Sequence, residues 1–214
     1  PVAFQNLISP FTFTTTRTML KRYPAQIYTQ AAVQAAVAIH PQIDSVDEIA
    51  VATVYGHRNV VAGVQGSAAA YLPETRGAAD HSTPFVVALG LRDGDLTPAS
   101  YAGEPWRDEG LIDLMRRVDL VIDPDFERGF EESGRFGCRL VVELLDGRRF
   151  EETVTQQHGH PDNPLSRAEL LAKMSAFTDP KQGTGAAERL MSAVEALPQA
   201  SNVKDLVAQL GVDD

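Results

Sequence analysis

Residues 138–155 read CRLVVELLDGRRFEETVT, two runs of strand-forming residues joined by Asp146-Gly147. The Asp-Gly pair supplies the positive φ angles of a tight primed turn, so the stretch predicts a β-hairpin. Leu140, Val142 and Leu144 then share one face of the first strand, and Phe150 and Val154 one face of the second. Working outward, residues 118–122 read as a short strand, preceded by an amphipathic helix over 110–118. That helix puts Leu111, Leu114 and Met115 on one face and Arg116-Arg117 near its C-terminus, where cations suit the dipole. Ser82-Thr83-Pro84 followed by Phe85, Val86, Ala88 and Leu89 predicts a capped, buried helix closed by Asp93-Gly94-Asp95. Residues 47–54 alternate with period two, Ile49, Val51 and Thr53 against Glu48, Ala50 and Ala52, which predicts a strand. The Ala-rich run over 26–39 predicts a helix started by Pro24 and ended by Pro41, and the Gly-, Ser- and Ala-rich stretch over 56–77 reads as a long loop.

Beyond Pro164 the pattern is helical only. Ser166-Arg167-Ala168-Glu169 is a capping box opening a helix to about Phe177, and helices over 184–197 and 203–210 follow. The expected fold class is α+β: a two-layer domain with a small, mainly antiparallel sheet, followed by C-terminal helices. There is no internal repeat and no low-complexity tract.

Composition limits the function. The 214 residues are 43% hydrophobic and 22% charged, close to the globular average. A net charge of −10 repels phosphate backbones and anionic lipid, so nucleic acid and membrane surfaces are not the expected partners. No apolar run approaches the roughly 18–20 residues that a membrane-spanning helix needs. The first residue is Pro1 and the first charge is Arg17, which does not read as a secretory signal but as the interior of a longer protein. The single cysteine, Cys138, excludes an internal disulfide and two-cysteine metal or redox motifs; a reducing, cytoplasmic setting is expected. The charge is uneven. No acidic residue precedes Asp44, while Arg17, Lys21 and Arg22 are basic; the rest of the chain carries 16 basic and 29 acidic groups. Such a cationic strip is where a small anion would dock, although three exposed neighbours by coincidence would look the same.

Generic motifs add little. His158-Gly159-His160 lacks a third ligand at fixed spacing, so no metal is expected. Asp80-His81-Ser82 holds three adjacent residues, whereas a catalytic triad draws its members from separate elements. No phosphate-binding G-x-x-x-x-G-K-[ST] or G-x-G-x-x-G occurs.

Four segments, in order, resemble the MmgE/PrpD family, whose members include 2-methylcitrate dehydratase, cis-aconitate decarboxylase and iminodisuccinate epimerase. They are residues 21–26 (KRYPAQ), residues 79–88 (ADHSTPFVVA) running into Asp93-Gly94, residues 144–151 (LLDGRRFE), and Gly159-His160 with residues 163–166 (NPLS). The resemblance covers only the C-terminal portion of the family's pattern. It implies a connecting segment over 1–14, an α+β lid over 15–157, and helices from 163 to 214 that belong to an all-helical domain supplied elsewhere.

The resemblance also implies an active site in a cleft between the two domains, handling small di- or tricarboxylates without metal or other cofactor. Lys21 matches the family's active-site lysine, for carboxylate binding or proton transfer. His81 and Ser82 fall in the second motif, as groups facing the cleft or as packing and a helix cap. His81 is the second catalytic candidate; Arg22, Gln26, His57, Arg58 and Ser82 are candidates for substrate binding. Decarboxylase-like members have histidine where this chain has Gln26. His57 and Arg58 line the cleft or lie on a solvent-exposed loop, and Tyr23 packs or brings its hydroxyl near the site. The implied function is metal-independent dehydration of a hydroxy tricarboxylate such as 2-methylcitrate. Epimerisation or decarboxylation of a related acid, and a non-catalytic carboxylate- or partner-binding module, are the alternatives. The isolated chain is expected to be inactive, seeking a homodimer or a complement that supplies the helical half.

Overall fold

The structure, a computed structural model, describes residues 17–209; the expected connecting segment over 1–14 lies outside them. In chain order the elements are α1 (Gln30–Ile39), β1 (Ile49–Gly56), α2 (Arg58–Val61), α3 (Arg76–Ala79), α4 (Thr83–Asp93), α5 (Glu109–Met115), β2 (Val118–Ile122), α6 (Pro124–Ser133), β3 (Cys138–Leu144) and β4 (Arg149–Val154). Then follow α7 (Arg167–Gln182), α8 (Ala186–Glu195) and α9 (Lys204–Gln209). The chain divides into two compact units between Pro164 and Leu165.

The first unit is built on one sheet of order β2-β1-β3-β4. β1 pairs with β2 in parallel and with β3 antiparallel, and β3 with β4 antiparallel, so the sheet is mainly antiparallel as the α+β reading expects. α1 and α4 pack together on one face. Thr83 to Leu91 of α4 are all buried, which is why that helix reads as apolar all round. Phe85, Leu89, Ile39, Ile49, Met115 and Leu140 are fully enclosed, each contributing about 1.5–3 kcal/mol by leaving water. α1 and α4 approach closely because Gly90 faces Ala36: a Cβ at Gly90 would lie 2.8 Å from the Ala36 Cβ.

Three local expectations change. The hairpin forms, but its turn is a three-residue loop. Leu144 accepts from the Gly147 N–H at 3.0 Å and donates to the Arg148 carbonyl at 2.8 Å. Gly147 alone takes positive φ, at 88°, and Asp146 does not. This is the type I turn with a glycine bulge, in which the αL residue follows the turn instead of forming it. In β1, a register shift between Ile49 and Val51 reverses the expected faces. Ala52, Val54 and Gly56 join Ile49 in the core, while Val51 and Thr53 sit on the other side, because a bulge inserts one residue into a period of two. The stretch over 56–77 is not structureless, since α2, α3 and two single 3₁₀ turns (Val64–Gly66 and Ala68–Tyr71) fold it tightly.

Sequence reading also passes over α6. Asp123 caps it by accepting from the Asp125 N–H at 2.9 Å, Pro124 begins it, and Gly134 ends it in the left-handed region. In the second unit the capping box forms as expected: the Ser166 N–H donates to Glu169 Oε2 at 2.9 Å, and the Glu169 N–H to Ser166 Oγ at 3.3 Å. α7 runs past Phe177 to Gln182 with Pro180 inside it. The start of α8 is held by Asp179, whose carboxylate accepts from the Ala187 and Gly185 N–H groups at 3.1 and 3.3 Å.

Candidate functional site

The turn over residues 21–26 is fixed from three sides. Gln30, 1% exposed at the start of α1, accepts from the Tyr23 N–H at 3.0 Å and donates to the carbonyls of Tyr23 and Ala25 at 3.0 and 3.2 Å. A side-chain amide carries a donor and an acceptor at once, which suits the strapping of an irregular turn. The Tyr101 hydroxyl donates to the Pro24 carbonyl at 2.8 Å. Burial, aided by the Asp80 charge and opposed by Arg76, raises the Tyr101 pKa, so its proton stays on. The Gln26 N–H donates to the Asp80 carbonyl at 2.9 Å. Tyr23 is buried as expected for a packing residue, while Lys21 and Arg22 are exposed at the head of the turn. Leu20 precedes them, its N–H bonded to the Gly159 carbonyl at 2.8 Å. Arg17 pairs with Asp162 at 3.4 Å, both about two-thirds exposed, so that pair contributes little.

The partner of this turn is the corner between α3 and α4. Thr75 caps α3, and the Asp80 N–H donates to the Arg76 carbonyl at 2.9 Å. His81 Nδ1 lies against Asp80 Oδ1 and is 3.0 Å from the Gly77 carbonyl. Adjacent residues do therefore pair here, although Ser82 does not extend the set. Ser82 is fully buried; its hydroxyl donates to the Ala70 carbonyl at 2.5 Å and accepts from the Phe85 N–H at 3.1 Å. Of the two readings of Ser82, the geometry matches the helix cap.

His57 and Arg58 part company. Where the sequence reading sets His57 against a cleft or on an open loop, the structure buries it completely. Its ring stacks on Phe130 with centroids 4.5 Å apart and meets Tyr28 edge-on at 5.5 Å. Desolvation lowers its pKa to about 4, against a smaller opposing pull from Glu127. The cause is α6, the helix missed in the sequence, whose Phe130 closes over the ring. Arg58 is exposed, and its backbone N–H and Nε donate to Glu127 at 2.6 and 2.9 Å. With Asn59, Phe130 and Glu131, this pair lines a shallow cleft of about 270 Å³.

The structure thus joins Gln26, Asp80 and His81 directly, with Lys21 and Arg22 on the same turn. His57 and Arg58 form a second cluster, linked through Tyr28, whose N–H donates to Gln26 Oε1 at 2.5 Å. Sequence reading missed Gln30, Tyr101 and Asp80 as the residues that hold the site. The His158 N–H donates to Gln34 Oε1 on α1 at 2.9 Å, and His160 Nδ1 accepts from the nearby Asp162 N–H at 3.1 Å. Among the described residues no group of three His, Cys, Asp or Glu side chains is arranged to hold a metal ion, and no helix is long and apolar enough to cross a membrane.

In this α+β domain the Asp80–His81 pair is joined, through the Gln26 N–H on the Asp80 carbonyl, to the turn that carries Lys21 and Arg22. The comparisons give the family. The model of the MmgE/PrpD C-terminal domain matches residues 23–199, and the chain belongs to the MmgE/PrpD family. It is 28% identical over 140 residues to the 2-methylcitrate dehydratase of Salmonella typhimurium, covering 63% of this chain and 28% of that protein. It is 27% identical over 190 residues to the 2-methylcitrate dehydratase of Cupriavidus necator, covering 82% of this chain and 39% of that protein. Against the cis-aconitate decarboxylase of Mus musculus it is 28% identical over 125 residues, covering 58% and 25%. The chain therefore spans between about a quarter and two-fifths of the length of these relatives.

Proposed function

We propose that this chain is the lid portion of a lyase that removes water from a small hydroxy tricarboxylate such as 2-methylcitrate. In such a reaction a base takes a proton from carbon, the C–H electron pair forms the double bond, and hydroxide leaves as water after protonation. Charge develops next to a carboxylate, and fixed cations stabilise it in a site closed from water. Lys21 and Arg22 supply those cations, and His81 supplies the imidazole that serves as the proton-transfer group. The observation that carries the reading is the 2.9 Å bond from the Gln26 N–H to the Asp80 carbonyl, which pins the cationic turn to the histidine corner.

Gln26 favours dehydration over decarboxylation. The dehydratase and decarboxylase relatives are about equally similar to this chain, but an amide at position 26 neither gives nor takes a proton, and its Oε1 already holds the Tyr28 N–H. Epimerisation shares the C–H abstraction and differs only in the step that follows. The remaining catalytic groups and the opposite wall of the cleft come from a helical body, in a complement or a second copy, and turnover by this chain alone is negligible.

Calorimetry with citrate tests the reading on wild type and on Lys21→Ala. Weak binding to wild type, lowered severalfold by the substitution and by added salt, is the expected result. Equal affinity in both proteins would remove Lys21 from the site.

A further inference from the structure

We infer that Asp80 is a positioning residue that fixes the tautomer of His81, holding the proton on Nδ1 and leaving Nε2 as the nitrogen that exchanges protons with substrate. The inference rests on the reading of His81 given above and names the residue and ring atom through which it works.

The argument begins with hydrogen-bond inventory. His81 Nδ1 has two neighbours, the Asp80 carboxylate and the Gly77 carbonyl, and neither has a hydrogen to donate. A bare Nδ1 lone pair against two oxygens would be repulsive, so Nδ1 carries the proton. In a neutral imidazole the lone pair then resides on Nε2. The His81 side chain is about half exposed, so this nitrogen is not confined to the interior. Once Nε2 takes a proton, the Asp80 carboxylate stands beside the resulting imidazolium and offsets its charge.

Asp80 is itself held rigidly. Its N–H is bonded to the Arg76 carbonyl at 2.9 Å, and its own carbonyl receives the Gln26 N–H. The next residue but one, Ser82, is locked as the buried cap of α4. The histidine is thus fixed from both sides in sequence and oriented by the carboxylate in between. A surface ion pair between adjacent residues contributes little to stability. Its consequence lies in which nitrogen holds the proton.

The test uses the full chain labelled with ¹⁵N-histidine, at a pH where the rings are neutral, with His81 identified by the signal lost in His81→Gln. Long-range ¹H–¹⁵N correlation distinguishes the two tautomers. In wild type the expected pattern is Nδ1–H, in excess over Nε2–H. In Asp80→Ala the balance shifts severalfold toward Nε2–H, the form imidazole prefers in water, and Asp80→Glu restores part of the excess. A matching urea midpoint shows that each variant folds. A wild-type ring found mainly as Nε2–H, or a ratio unchanged in a folded Asp80→Ala, would overturn the assignment. Citrate added to the same samples separates this from the functional reading: an intact Nδ1–H pattern with no citrate response supports the Asp80 assignment and counts against the carboxylate site alone.

Discussion

Acidification meets His57 before any carboxylate. At pH 7.5 the ring is neutral whether the chain is folded or not. Its pKa lies near 6.5 in the unfolded chain and is lowered to about 4 by burial in the folded one. As pH falls below 6.5, the unfolded chain binds a proton that the folded protein refuses, so stability drops by about 1.4 kcal/mol per pH unit. The drop ends near pH 4, for a total of about 3 kcal/mol. Between pH 7.5 and 5.0 the loss from this ring is about 2 kcal/mol, which at a typical urea slope of about 2 kcal/mol/M moves the midpoint by roughly 1 M. The depressed carboxylates, among them Glu127, Asp146 and Asp179, act in the same sense but at lower pH: their contribution is present above their unfolded values and is lost only as pH falls through lower values. The interval above pH 5 therefore isolates the histidine. In His57→Phe an aromatic ring still fills the space between Tyr28, Phe130 and Phe136, and the urea midpoint becomes nearly independent of pH over that interval. Parallel midpoint curves for the two proteins would refute the reasoning, because the acid sensitivity would then reside elsewhere.

Gln30→Ala unstraps the turn at residues 23–25, leaving a buried N–H and two carbonyls without that partner. It lowers stability by about 1–3 kcal/mol, read by urea midpoint, and weakens citrate binding in calorimetry although Gln30 itself touches no ligand. Gly90→Val drives a branched side chain into Ala36 where α1 and α4 cross, and lowers Tm by an amount corresponding to about 1–3 kcal/mol; Gly90→Val combined with Ala36→Gly recovers part of the loss. Cys138 is fully enclosed, and burial pushes its thiol pKa up to about 12, so a thiol reagent at pH 8 labels it only after denaturant unfolds the chain. Rapid labelling of the native protein would contradict its place in the core.

The legible parts of the fold were those whose signal is local. The hairpin at residues 138–155, the Ser82-Thr83-Pro84 start of α4 and the Ser166–Glu169 box each rest on a few neighbouring residues, and each forms. What escaped depends on residues far apart in the chain. The reversed faces of β1 follow from a bulge against β3, which no reading of residues 47–54 contains. The burial of His57 requires α6, seventy residues later, to lay Phe130 on its ring. At the site, the sequence singled out Lys21, Gln26 and His81. It gave no reason to choose Tyr101 or Gln30, whose partners are backbone carbonyls and an N–H that the fold brings to them, and it set Asp80 aside because adjacent residues do not make a triad.

The link between Gln26 and Asp80 runs from main chain to main chain. Every residue type except proline at position 26 can keep it, so substitutions at 21, 22 and 81 change the protruding groups without removing that link. A scaffold joined in this way can exchange one set of protruding groups for another while the seam stays closed.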